Sequence, residues 1–296
     1  MRQLQGIFRY IARNKFPYLA LIPFFVVYIV FWLYPLIFSV ILSFSRYSFK
    51  GPIEWVGIQN YIQVLHDETF KLALKNTLLL WVGTLPVQIV VGFVFASLLN
   101  TLSPRWRGGI AGIYYLPVVS NLVAVALIFE LIFDFRFGIL NYLLSLLSIK
   151  PLPWLSSSIL GKIAVIILIA WRGTGWYIVL TLAALQSIDR TYYEAAKIDG
   201  ANFIAQALYI TLPLMRPIIL FFVVMGTISG WQIFTEPFLL FNSGPGPLQT
   251  GLTANMYIYF EGFKYLKFSN ASAMAFVLGA ITICFSILQF RFGGRE

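Results

Sequence analysis

A chain of 296 residues with one histidine and one cysteine has few ways to make or break bonds. His66 stands beside Asp67 and Glu68, and a lone imidazole leaves a zinc site without an ordinary ligand set. Cys284 lies in an apolar run, so neither a disulfide framework nor a cysteine metal cluster can form. Nothing resembles a catalytic triad, a carboxylate pair of fixed spacing, or a G-x4-G-K-[ST] phosphate loop. What remains is charge in unusual places: Glu130 and Arg172 inside apolar runs, and Glu194, Lys197 and Asp199 in the amphipathic stretch 192–217. A charge at mid-membrane costs roughly 2.5–3.5 kcal/mol on insertion scales, so such a residue should face a cavity or a partner. Arg172 could line a solute path, pair with Glu130, or extend to the interface. Glu130 carries the same two readings, structural or path-lining.

These charges must be positioned by membrane elements. Hydrophobic residues make up 59% of the chain and charged residues only 11%, against roughly 25% charged in ordinary globular proteins. The net charge of +10 (21 basic minus 11 acidic residues) could suggest nucleic acid. In so apolar a chain, basic residues flanking spans are the better reading, where they set topology and meet anionic lipid. No nucleic-acid partner is expected.

The pattern predicts an all-α polytopic protein of six spans. Residues 1–16 form a basic cytoplasmic N-terminus with Arg2, Arg9, Arg13 and Lys15 and no acid. Residues 17–72 hold the first span, about 17–44, and an external amphipathic segment with Ile58, Tyr61, Ile62 and Leu65 on one face. That first run exceeds the ~20 residues needed to cross a bilayer and is too long for a signal-peptide core. Residues 73–291 form the core, with spans at about 73–99, 110–133, 159–187, 214–235 and 270–291, and 292–296 are a cytoplasmic tail. Pro86 and Pro117 interrupt two spans and either kink them or expose backbone near a midplane site. The run Asn242 to Pro247 reads as turns.

The segment 192–217 reads as two short helices broken at Asp199-Gly200. Gly200 suits the left-handed position that ends a helix, and Asp199 is expected to cap the second helix. Phe203, Ala207 and Ile210 recur at intervals of three and four before Pro213. Glu194-Ala195-Ala196, three residues, Gly200, nine residues, then Ile210-Thr211-Leu212-Pro213 fit E-A-A-x3-G-x9-I-x-L-P without insertion. This constellation resembles the inner-membrane permease subunits of binding-protein-dependent ABC importers, with one departure, Ala207, where an aromatic is usual.

The resemblance implies the type I importer permease (MetI-like) fold, with the loop 189–213 inside the cell as the docking element for an ATPase. Glu194, Ala195, Ala196, Asp199 and Gly200 would then carry coupling. It also implies a heterodimer with a second permease, two ABC ATPase subunits that hold the ATP and Mg, and an external solute-binding protein. The chain itself would bind no cofactor and act as no enzyme. Both termini would be cytoplasmic in a bacterial or archaeal cytoplasmic membrane. The basic tail, Leu33-Tyr34-Pro35 and the outer Val56-to-Tyr61 stretch resemble the first permease of maltose-type and glycerol-phosphate-type systems. Ser229-Gly230-Trp231-Gln232-Ile233-Phe234 resembles the W-x-x-F stretch of carbohydrate permeases. Ser229, Trp231 and Gln232 are therefore expected in the solute path, or else Trp231 belongs to an interfacial aromatic belt. A sugar is the expected solute and a polyol phosphate the rival. An ion-gradient transporter would not need the two-helix segment, and an intramembrane enzyme would need acid and histidine clusters.

Overall fold

The computed structural model describes residues 15–47 and 51–293. Residues 1–14 of the basic N-terminus and 294–296 of the tail lie outside the described residues. The chain forms two compact units, one running to His66 and including Glu261–Phe276, the other comprising Asp67–Phe260 and the residues from Val277 onward.

In the first unit, α1 (Lys15–Tyr28) and α2 (Tyr34–Ser43) are joined by a π-helical turn, Ile29–Leu33, and give a 25-residue apolar span over Leu19–Ser43. Its side chains are exposed along nearly the whole length, including Phe24, Phe31 and Trp32. Such a surface is compatible with lipid or another chain and not with water. After α2, two short strands pair antiparallel, β1 (Ser45–Arg46) and β2 (Glu54–Trp55), with Ser45 opposite Trp55. The amphipathic face expected at Ile58 to Leu65 becomes α3 (Gln59–His66). Asn60 is buried there and donates Nδ2 to the carbonyls of Ser43 and Ser45, each at 2.9 Å. The first bond satisfies a carbonyl that the end of α2 leaves open, and the second holds the first residue of β1.

The second unit is built on two long helices, α4 (Glu68–Asn100) and α8 (Ser158–Ser187). Between them in sequence lie α5 (Pro104–Val119), α6 (Leu122–Ile132) and α7 (Ile139–Leu146). Asp67 starts α4 by accepting the Phe70 amide at 2.9 Å. Close approach of α4 and α8 requires a missing side chain: a Cβ on Gly92 would fall 2.7 Å from that of Tyr177. Gly175 serves α5 in the same way, since a Cβ there would strike the Tyr114 carbonyl oxygen. One apolar core gathers Leu80, Phe129, Phe133, Val165, Leu168 and Leu240, and another Ala96, Leu99, Ile178, Leu182, Leu185 and Met215.

Four described helices are individually long and apolar enough to cross a membrane, and six spans result when each of two bent pairs counts as one. The bends refine the expected third and fifth spans. α5 and α6 meet at 91°. Pro117 lies near the end of α5, Ser120 leaves helical geometry at ψ 147°, and Asn121 restarts α6 by accepting the Val123 and Ala124 amides. The other bend, 69°, separates Phe203–Leu214 from the helix Arg216–Trp231, α12 in chain order. Pro86, by contrast, sits inside an unbroken α4.

Candidate functional sites: a cleft and a capped elbow

The stretch 192–217 folds into the expected elbow: α9 (Arg190–Ile198), α10 (Phe203–Gln206), a π-helical turn Ala207–Thr211, and α11 (Leu212–Leu214). Asp189 opens α9 by accepting the Thr191 amide at 2.9 Å. That backbone bond holds the Asp189 carboxyl below the usual carboxylate range. Gly200 ends the helix at φ +78°, with the Ala201 amide donating to Ala196 O at 2.9 Å. The expectation for Asp199 is corrected: it closes α9, and Asn202 caps α10 by accepting the Ala205 amide at 2.8 Å. Asp199 still belongs to the preceding helical turn at φ −74°, whereas Asn202 has the extended geometry a cap needs.

Neither α9 nor α10 contains a buried residue. Glu194, Ala195 and Gly200 are exposed, and Ala196 is half-buried. Around them stand Ile198 at 88% and Tyr209 at 80% exposure, with Phe203 and Ile204 also open. The face expected from Phe203, Ala207 and Ile210 is thus only partly turned inward, because the π-helical turn shifts the phase after Gln206. Within the elbow, Tyr193 Oη on α9 meets Thr211 Oγ1 at the end of the π-helical turn at 3.0 Å.

The second site is a cleft of about 450 Å³ between α4, α8, α12 and α13 (Thr235–Leu240). α12 ends at Trp231, the chain turns through Gln232, and α13 brings Glu236 back toward α8. There Arg172 Nη1 meets Glu236 Oε1 at 3.2 Å, both side chains part-buried. Arg172 therefore pairs with Glu236 and not with Glu130, which is half-buried and accepts a 2.9 Å bond from Asn242 Nδ2. The rest of the wall is neutral and mixed: Thr84, Gln88, Trp176, Ser229, Gln232 and Thr235. Gln88 is held in place by donating Nε2 to the Ile169 carbonyl at 3.0 Å.

Of the expected path residues, Arg172, Ser229 and Gln232 come together on this cleft, while Glu130 and Trp231 do not line it. Trp231 is buried between Trp81 and Phe285, with ring centroids 6.1 and 5.4 Å away. Sequence reasoning missed Glu236, Gln88 and Trp176. The requirement that an intramembrane arginine find an acid was a usable signal for Glu236.

A paired charge in a cleft among long apolar helices, and an elbow with no buried residue in α9 or α10, belong to a polytopic membrane chain. The chain belongs to the family described as binding-protein-dependent transport system inner membrane component, which matches residues 88–295. It is 35% identical to the lactose transport system permease protein LacF of Rhizobium radiobacter, over 90% of each chain. The arabinooligosaccharides transport system permease protein AraP of Bacillus subtilis is 33% identical, over 96% of this chain and 90% of that one. The trehalose/maltose transport system permease protein MalF of Thermococcus litoralis is 29% identical, over 94% of each. The fold matches a solved bacterial ABC transporter for alginate import at TM-score 0.85 and 24% identity, over 98% of this chain and 99% of that one. The chain is an ABC transporter permease with the all-α fold that its sequence predicted.

Proposed function

We propose that this permease pairs with a second permease to form the path for a neutral sugar or oligosaccharide, delivered by an external binding protein. Two separate ABC ATPase subunits, holding ATP and Mg, dock on the elbow at Glu194, Ala195, Ala196, Asp199 and Gly200. Both chain ends and the elbow then face the cytoplasm, and 17–72 and 73–291 act as the first-span segment and the core.

The observation that carries the solute class is the Arg172–Glu236 pair. It leaves the cleft without net charge from these two residues, among side-chain amides, hydroxyls and the Trp176 ring. Sugars suit such a lining, because their C–H faces pack on aromatic rings and their hydroxyls exchange hydrogen bonds with amides. The names of the relatives, which concern lactose, arabinooligosaccharides and trehalose or maltose, support the same class. A polyol phosphate would require a cation free to meet it, and Arg172 is already engaged.

Transport follows as alternating access. ATP binding closes the ATPases and moves the docked elbows, the cavity opens outward to receive solute, and hydrolysis resets it. The permease makes and breaks no bonds.

The test is ATP-dependent uptake by the reconstituted complex, with labelled neutral oligosaccharides and labelled glycerol phosphate as competitors. We expect uptake of the former alone. Selective uptake of the phosphate ester would replace the sugar reading, and uptake without ATP would remove the importer reading.

A further inference from the structure

A second polar pocket, of about 520 Å³, lies under the elbow where α4 and α8 end and α5 begins. Three cations line it, Arg107, Arg190 and Lys197, against one carboxylate, Glu194, with the amides of Asn100 and Gln186 beside them. Among the described residues, none of the three cations has a carboxylate oxygen within ion-pair distance, Glu194 included.

Arg107 is fixed in place. Its Nη2 donates to the carbonyls of Asn100 at 2.9 Å and Leu102 at 2.8 Å, which close the end of α4. Its Nε is buried with no acceptor among the described residues. A guanidinium pre-oriented through one nitrogen, with another N–H unused, suits a tetrahedral oxyanion that takes a charge-assisted bond. Arg190 and Lys197 add charge from the elbow side. The amides of Asn100 and Gln186 can donate to further oxygens. The pocket lies where two helices long and apolar enough to cross a bilayer end, and clustered cations next to a span attract anionic headgroups.

We propose that this pocket binds a phosphate-bearing group, supplied by the headgroup of an anionic lipid or by free phosphate, and so ties the elbow to the ends of α4 and α8. Nothing in this assignment depends on which solute crosses the cleft.

The full chain, with the subunits that co-purify with it, is placed in phosphatidylcholine nanodiscs. One arm adds phosphatidylglycerol and reads retained lipid by native mass spectrometry. The other adds radiolabelled inorganic phosphate and reads equilibrium binding. Binding in the lipid arm alone assigns a headgroup, in the phosphate arm alone a soluble ion, and in both a general phosphate site. Arg107→Gln and Lys197→Gln should each weaken binding about tenfold. Lys71→Gln, which alters a surface lysine paired with Glu68, should leave it unchanged. Because Arg107 also holds two carbonyls, Lys197→Gln decides the matter if Arg107→Gln fails to insert. No binding in either arm, or an equal loss in Lys71→Gln, overturns the proposal.

Discussion

The cleft and the elbow solve opposite problems with similar residues. In the cleft, charge is partly withdrawn from solvent and is therefore paired: Arg172 and Glu236 meet at 3.2 Å between elements 64 residues apart in sequence. In the elbow, charge is left open and apolar groups are exposed, as at Ile198 and Tyr209. The cleft is held by long helices packed through cores. The elbow has no buried residue in α9 or α10 and is held by local closures at Asp189, Gly200 and Asn202. Under the proposed function, the site that would choose a solute is built from long-range contacts, whereas the surface that a partner would cover is shaped by local closures alone.

The sharpest way to break this contrast is Glu194→Lys. We expect ATP-driven uptake and ATPase association to be abolished, with membrane insertion unchanged, as read by co-purification and protease mapping. Normal uptake would remove the coupling role. Glu236→Gln should act next most strongly. It leaves Arg172 part-buried with a weaker partner, and uptake should fall roughly tenfold, with ATPase co-purification intact. The exchange Arg172→Glu with Glu236→Arg should recover part of the loss. If both single and exchanged variants behave alike, the pair does not set the cleft.

Asn202→Ala should cost about 1 kcal/mol locally, the usual loss for a helix cap. Faster amide exchange over α10, with exchange in α8 unchanged, would report it. The smallest effect is expected from acid. Asp189 is more acidic folded than the ordinary 3.8, so its contribution to α9 is complete above that value. It is lost as pH falls through the depressed folded value. Amide exchange in α9 should accelerate in that range for the native chain and remain flat for Asp189→Asn, which keeps an acceptor but does not titrate.

Legibility in the sequence followed the range of the interactions. The elbow could be read because its break rests on Gly200, a residue type whose geometry is local, and on a spacing that carries family information. The choice between Asp199 and Asn202 as cap could not, since both types accept amides and only backbone angles separate them. The six spans followed from apolar length. The 91° turn at Ser120 needed the joint effect of Pro117 and Asn121, each of which alone permits a gentler course. In the cleft, Arg172, Ser229 and Gln232 were legible as types. Glu236 was missed because α12 stops at Trp231 and a separate short helix follows, and no local pattern told that break from a span continuing outward. Trp176 and Gln88 gave no signal among so many aromatic and helical positions.

The 3.0 Å link between Tyr193 and Thr211 has a mechanical corollary. It fastens α9 to the π-helical turn that leads, through α11 and the 69° bend, to the foot of α12, a rod of 16 residues or ~24 Å. Ser229 rides near the far end of that rod. Under the proposed function, a motor gripping α9 would push near the foot of this lever, and its tip would swing at the cleft wall that carries Ser229.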